Sequence, residues 1–203
     1  MAEHYNPLPF YPLEAGASYM RPRQELPQGV TEDSPAVDVM TDLSKVTAYT
    51  VELITPLDKA LEIMVKRGVR LLLVRDADAA VRGLITSRDI QGEKPEKILQ
   101  KSYLTREELL VRDIMTLKHR LEVLRMEDVL RARVGDLIAT LKACGRQHAM
   151  VVDIDPGTTR QAVRGLFSLS QIGLQMGLQI DPAKAPTTAE ELEQALARMR
   201  SGE

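Results

Sequence analysis

Two stretches of closely similar sequence decide how this chain of 203 residues is organised. The first reads VRGLITSRD over residues 81–89, and the second reads VRGLFSLSQ over residues 163–171. Each opens with residues suited to a strand and then reaches Thr86 or Ser168, a residue type that caps helices. Such self-similarity predicts two copies of one structural unit, each with a strand that runs into a helix.

The repetition extends upstream of both stretches. VMT at residues 39–41 recurs as IMT at residues 114–116. Apolar residues then follow the i, i+3, i+4, i+7 spacing of a helix face in each copy, and both patterns end at a glycine, Gly68 or Gly145. A short apolar run follows each glycine. We predict strand, helix, strand, strand and helix in each copy, and we expect the copies to pack together because one unit is too small to bury a good core.

Composition excludes several classes of protein. Lys plus Arg number 27 and Asp plus Glu number 29, so the net charge of −2 argues against a general nucleic-acid binder. The longest apolar runs are too short to span a membrane, and the N-terminus has no secretory signal pattern. The single cysteine, Cys144, excludes an intrachain disulfide and a cysteine-based zinc site, and it fits a cytoplasmic location. No catalytic triad, phosphate loop or metal-ligand spacing is evident, so we expect a protein that is not an enzyme.

The two ends of the chain differ from the repeat. Residues 1–35 form a proline-rich arm that carries four of the seven aromatic residues, Tyr5, Phe10, Tyr11 and Tyr19. The arm is either a disordered leader or an extended segment whose aromatics anchor it to the folded body or to a partner chain. Residues 187–191 offer overlapping capping boxes before an amphipathic pattern, which predicts a short C-terminal helix.

These motifs together resemble a tandem pair of cystathionine-β-synthase (CBS) domains of the stand-alone bacterial type. The resemblance rests on the two Met-Thr openings, the paired helices and above all residues 83–89, which match the family's Gly-apolar-x-Thr/Ser-x-x-Asp signature. It implies an α+β fold of two β-α-β-β-α repeats packed sheet to sheet, with an extended N-terminal arm and a short C-terminal helix. The implied segments are an arm at 1–35, repeats at 36–92 and 111–180, a connector at 93–110 and the C-terminal helix at 181–203.

The resemblance also implies a function. CBS pairs usually bind an adenine nucleotide (AMP, ADP or ATP), and sometimes S-adenosylmethionine, in clefts between their repeats, and they commonly form homodimers. We therefore expect a regulatory module, without an obligatory cofactor, that senses its ligand and signals to an unidentified partner protein through the shape of the dimer. The ligand-binding residues expected are Thr47, Arg70, Thr86, Arg88, Asp89, His119, Arg120, His148 and Ser168.

Residue chemistry supports these expectations but leaves alternatives. In the family, the Asp of the signature contacts ribose, and the Asp89 carboxylate can accept two hydrogen bonds from a ribose diol. Thr86 and Asp89 also match an ordinary capping box. In the second copy Gln171 replaces the carboxylate, so Ser168 and Gln171 keep the capping pattern but weaken a ribose site. We expect unequal clefts, with the Asp89 cleft the better candidate.

Basic residues beside the expected clefts carry further alternatives. His148 is aligned with Arg70 of the first copy, a position that often faces phosphate in the family, although a surface histidine is an equal alternative. His119 and Arg120 lie in a basic stretch that would receive a polyphosphate or simply be solvated. An alternative function is a protein-interaction scaffold with degenerate clefts, which the Gln171 substitution and the aromatic arm favour.

Overall fold

A computed structural model describes Pro12, residues 24–178 and residues 188–201 of the chain. The arm's four aromatic residues and Thr187 lie outside these described residues. The strands are β1 (Thr41–Asp42), β2 (Thr50–Glu52), β3 (Leu71–Arg75), β4 (Val81–Thr86), β5 (Thr116–Leu117), β6 (Val123–Arg125), β7 (His148–Ile154) and β8 (Gln161–Ser168). The α-helices are α1 (Leu57–Arg67), α2 (Ser87–Gln91), α3 (Lys94–Leu99), α4 (Val111–Ile114), α5 (Met126–Val129), α6 (Val134–Cys144), α7 (Leu169–Gln175) and α8 (Ala189–Ser201). None of these helices is long and apolar enough to cross a membrane.

Two four-stranded sheets carry the fold. The first has the order β2-β3-β4-β5 and the second has the order β1-β8-β7-β6. In each, one parallel pair (β2 with β3, or β6 with β7) encloses the long amphipathic helix, and the remaining neighbours are antiparallel. The predicted helix ends are confirmed, because Gly68 and Gly145 adopt left-handed φ angles of 66° and 59° after α1 and α6.

The short opening strands are exchanged between the two repeats. Strand β1 opens the first repeat but pairs with β8 of the second sheet. Strand β5 opens the second repeat but pairs with β4 of the first sheet. The repeats are therefore interlocked through their Met-Thr segments, a pairing that the sequence repeat does not reveal.

Three clusters of buried side chains hold the molecule together. One lies between the first sheet and its helices, and it includes Leu57, Met64 and Ile85. The second lies behind the second sheet, where α6, α7 and α8 pack together. The third lies between the two sheets and is built on Leu71, Leu73 and Met150, with partly buried leucines around them. This third cluster confirms the predicted α+β architecture of two repeats packed sheet to sheet.

The C-terminal helix α8 packs on its own second repeat. Leu192 and Leu196 are buried in the second cluster, and Lys142 of α6 forms an ion pair of 2.7 Å with Glu193. Thr188 caps the helix, since its side-chain oxygen accepts a hydrogen bond of 3.2 Å from the Glu191 amide. Helix α8 therefore packs within its own chain.

Two glutamine amides fasten residues 24–30 to the second repeat. The Gln24 side chain donates to the Met40 carbonyl (2.9 Å) and accepts from the Asp42 amide (2.7 Å), so it pairs with β1 as a neighbouring strand would. The fully buried Gln175 side chain donates to the carbonyl oxygens of Pro27 (2.9 Å) and Asp38 (2.8 Å). This part of the arm therefore lies on the folded body.

Candidate functional site

A cleft of about 230 Å³ opens where elements of both repeats meet. Leucines of the two sheets and Met150 line its apolar side. Polar side chains reach it from the start of α2, from the exchanged strand β5 and the turn after it, and from the start of β7 with the loop before it. Among them are Thr86, Arg88, Asp89, Thr116, Arg120 and His148. Because both repeats and an exchanged strand contribute, only the assembled pair forms this cleft.

Asp89 is held at the cleft by its role in capping α2. Its Oδ2 accepts hydrogen bonds from the Thr86 amide (2.9 Å) and the Thr86 hydroxyl (2.7 Å), and the Asp89 amide donates to that hydroxyl (3.2 Å). The capping box predicted for these two residues is confirmed. Its Oδ1 accepts from Lys94 Nζ at 2.5 Å, and the Asp89 side chain is 13% exposed. One carboxylate thus fixes the helix start and also lines the cleft.

The structure brings together five of the nine residues expected to bind ligand. The residues that line the cleft are Thr86, Arg88, Asp89, Arg120 and His148. The residues that do not line it are Thr47, Arg70, His119 and Ser168. Of these, Thr47, Arg70 and His119 are exposed, while Ser168 is partly buried and lies opposite His148 in the β7–β8 ladder.

The alignment of His148 with Arg70 is wrong by one position. In the first sheet Leu71 lies opposite Thr86, and in the second sheet His148 lies opposite Ser168. His148 is therefore the counterpart of Leu71, and Arg70 corresponds to Gln147. The register of β7 against β8 places the His148 imidazole in the cleft. The chemical type of a residue does not reveal this register.

His148 is uncharged at neutral pH. Burial lowers the pKa of its imidazole from 6.5 to about 4; the positive charge of Arg70 adds to this, and the negative charge of Asp89 opposes it. A neutral imidazole offers one donor and one acceptor, so it suits a hydrogen bond to a ligand rather than an ion pair with phosphate.

The second repeat departs from its predicted capping box. The Ser168 side chain makes no capping hydrogen bond at the start of α7. The Gln171 amide instead donates to Oε1 of Gln175 at 3.3 Å, one turn further along the helix. Gln175 is the residue that holds the N-terminal segment, so the position matching Asp89 belongs to the network that anchors this segment.

Several cleft residues escaped the sequence prediction. Glu122 and Arg146 line the cleft and form an ion pair of 2.9 Å, while Gln147 and Thr116 complete its polar wall. The repeated Met-Thr motif marks Thr116 in the sequence. Its place in the cleft follows from the exchange of its strand, β5, into the first sheet. Glu122 and Arg146 had no comparable signal.

The outer part of the cleft is suited to an anion. Arg88 and Arg120 are exposed, and within the described part of the chain neither side chain has a hydrogen bond or an ion pair. The carboxylates of the cleft, Asp89 and Glu122, are paired with Lys94 and Arg146. In residues 24–178 and 188–201, no three His, Cys, Asp or Glu side chains are grouped so that they could hold a metal ion.

Comparison with known proteins identifies the fold. No family model and no curated protein sequence matches the chain. An uncharacterised conserved protein from Pyrococcus horikoshii is similar in structure, with 18% identity, coverage of 75% of this chain and 98% of that chain, and a TM-score of 0.53. A CBS-domain-containing protein from Agrobacterium tumefaciens has 17% identity, coverage of 70% and 95%, and a TM-score of 0.50.

A structure of CBSX2 in complex with AMP has 23% identity, coverage of 68% and 93%, and a TM-score of 0.49. The chain itself forms two similar four-stranded sheets, which exchange their short strands and each carry one signature segment. This chain has the fold of a tandem CBS-domain pair.

Proposed function

We propose that this chain is a regulatory, non-catalytic module that binds an adenine nucleotide in the cleft beside Asp89. The observation that carries this proposal is the composition of the cleft. It joins an acceptor carboxylate, two exposed arginines without partners among the described residues and a neutral imidazole to an apolar wall. The carboxylate suits a ribose, the arginines suit a phosphate, and the imidazole and the apolar wall suit a base.

Each part of the nucleotide has a proposed partner. The ribose hydroxyls donate to the Asp89 carboxylate, the base lies against the leucines between the sheets, and His148 offers it a hydrogen bond. Arg88 and Arg120 receive the phosphates through forked hydrogen bonds. Helix α2 has only five residues, so we assign phosphate binding to these side chains rather than to a helix dipole.

The size of the cleft sets the proposed pose. Its volume of about 230 Å³ is below the roughly 300–1,000 Å³ of most small-molecule sites. Base and ribose occupy the cleft, and the phosphates extend to its outer part, where the two arginines are exposed. AMP, ADP and ATP share this pose and differ in how far they reach beyond the arginines.

Ligand binding becomes a signal because the cleft is shared. A nucleotide that contacts α2 of the first repeat and β7 of the second favours the relative position of the two sheets in which both contacts are made. We infer that a partner protein, and a second copy of this chain in a homodimer, respond to that position.

The test is binding of AMP, ADP, ATP, GTP and S-adenosylmethionine to the full chain, by thermal shift and then by calorimetry. A ligand at about 100 times its Kd stabilises a protein by roughly 2.7 kcal/mol, a shift of roughly 5 to 10 °C at this size. We expect shifts for the adenine nucleotides, lost in Asp89→Asn. Asp136→Asn is the matched control, because Asp136 accepts from the Arg133 amide (2.9 Å) at the start of α6, outside the cleft. No binding by the unaltered chain, or equal binding by Asp89→Asn, would overturn the proposal.

A scaffold for protein interactions is the second candidate. Gln171 stands where the signature has a carboxylate. It is hydrogen-bonded to Gln175, which holds residues 24–30 through the Pro27 carbonyl. Removal of residues 1–23 leaves that anchored segment in place. If the arm recruits the partner, this deletion abolishes partner binding or dimerisation, and nucleotide affinity is unchanged.

A further inference from the structure

The Lys94 ammonium is bound to the Asp89 carboxylate, the group that the proposed ribose site would use. Both Asp89 oxygens already have donors, Oδ2 from Thr86 and Oδ1 from the Lys94 ammonium. The Thr86 contacts belong to the cap of α2, so they persist when a ligand binds. Oδ1, where Lys94 Nζ lies at 2.5 Å, therefore has room for one further donor, and both hydroxyls of a ribose diol fit there only if the ammonium leaves.

The two partners of this ion pair differ in their access to water. The Lys94 side chain is 50% exposed, whereas Asp89 is 13% exposed. An ammonium group that leaves the carboxylate is readily hydrated, but a largely buried carboxylate needs another donor in its place. A sugar diol that enters the cleft supplies that donor, so an exchange of ammonium for hydroxyl leaves every polar group satisfied.

Lys94 also links the cleft to the connector between the repeats. It is the first residue of α3, which packs on α2. The body of α3 is held by apolar contacts, since Pro95 is buried and Ile98 and Leu99 pack against the core of the first repeat. Loss of the ion pair would therefore free the start of α3 at Lys94, while Pro95 and the residues after it stay packed.

We propose that Lys94 is an internal latch on the cleft, which the ribose of a bound nucleotide displaces from Asp89. This inference rests on the proposed nucleotide site and adds two properties to it. Lys94 lowers the affinity for the sugar. The start of α3 also changes when the cleft is occupied, and this change reaches the rest of the connector, which leads to the exchanged strand β5. A lysine that instead contacts the ligand would raise its affinity.

The test uses adenosine, which has the ribose diol but no phosphate, with calorimetry on the full chain. Lys94→Met should bind adenosine roughly two- to fivefold more tightly than the unaltered chain, the range expected from a partly exposed ion pair. Affinity for 2′-deoxyadenosine should rise less. Lys97→Met is the matched control, because Lys97 lies on the same helix and pairs with exposed Glu93 at 2.6 Å, away from the cleft. Unchanged or weaker adenosine binding by Lys94→Met would overturn the latch and leave the nucleotide site intact.

The dependence of adenosine affinity on salt concentration gives an independent test of the latch. Added NaCl screens the ion pair but does not act on neutral adenosine, so adenosine affinity should increase with salt in the unaltered chain and stay constant in Lys94→Met. Amide exchange without ligand separates the latch from the nucleotide site. Lys94→Met should speed exchange of the Lys97 amide, which donates to the Glu93 carbonyl at 3.0 Å at the start of α3. If it does not, the latch is refuted even where no nucleotide binds.

Discussion

Met40 lies directly on Gly165, so close that a Cβ at residue 165 would be 2.5 Å from the Met40 sulfur and 2.7 Å from its Cγ. Met115 lies on Gly83 in a similar way, with its Cε 2.7 Å from the Cβ position, and the backbone oxygen of Thr116 is closer still. Each methionine belongs to an exchanged Met-Thr segment, and each glycine to a signature stretch of the sheet that receives it. The two repeated motifs therefore occur together because one packs on the other across the repeats.

This packing makes substitution of either glycine destabilising. Gly165→Ala and Gly83→Ala should each lower the free energy of unfolding by about 1–3 kcal/mol. The added methyl group would displace Met40 at residue 165, and at residue 83 it would displace the backbone of Thr116 in β5 together with Met115. Urea denaturation measures the effect. Gly157→Ala serves as control, because its nearest neighbour would lie at an ordinary 3.5 Å. Equal stability of all three variants would contradict this account of the exchanged strands.

Asp42 should make stability fall at acidic pH. Burial raises its pKa, but hydrogen bonds from Arg164 and Ser44 outweigh burial and hold the pKa below the usual 3.8. The folded-state pKa is thus lower than the unfolded one, so the carboxylate stabilises the fold above about pH 4 and loses this contribution as the pH falls further. Asp42→Asn should flatten the fall in urea midpoint below pH 4. A steep fall retained in the variant would show that other groups cause it.

His148 should act in a separate pH range. Its folded-state pKa of about 4 lies below the usual 6.5, so folding favours the neutral imidazole. The contribution of neutral His148 to the free energy of unfolding is fully present above pH 6.5, and it declines as the pH falls from 6.5 towards 4. His148→Gln should remove this slope in the urea midpoint, whereas His119→Gln, at an exposed position outside the cleft, should retain it. A slope of equal size in both variants would rule out His148 as its source.

Gln175 should be needed to hold the N-terminal segment in place. Gln175→Leu leaves the carbonyl oxygens of Pro27 and Asp38 without their donor inside a buried site, at a cost of about 1–3 kcal/mol. Amide exchange at Val30, whose amide donates to the Gln175 carbonyl at 3.1 Å, should become faster. Gln161→Leu, at the exposed first residue of β8, is the control. Unchanged exchange at Val30 in Gln175→Leu would show that apolar contacts alone hold the segment.

Local patterns in the sequence were sufficient to predict the elements of each repeat. The spacing around Leu57 and Val134 placed both long helices, and Gly68 and Gly145 placed their ends, because periodicity and left-handed caps are properties of neighbouring residues. Partners distant in the chain were not predictable in this way. Neither the exchange of the two short strands nor the contribution of Glu122 and Arg146 to the cleft follows from local pattern.

The candidate site was predicted in part for the same reason. Asp89 and Thr86 were found because a capping box and a family signature coincide in a few neighbouring residues. The register of His148 was misplaced, since backbone pairing with Ser168 decides it and the basic character of Arg70 does not. The box expected at Ser168 is absent: the Ser168 side chain makes no capping hydrogen bond, and the Gln171 side chain contacts Gln175, to which its amide donates.

The exchanged strands have a consequence for the separability of the two repeats. A cut in the connector would give two fragments, each carrying an edge strand that belongs to the other fragment's sheet. Neither fragment can complete its own sheet except by borrowing that strand from another molecule. In this sense the tandem chain is a domain-swapped dimer whose two protomers have been joined covalently.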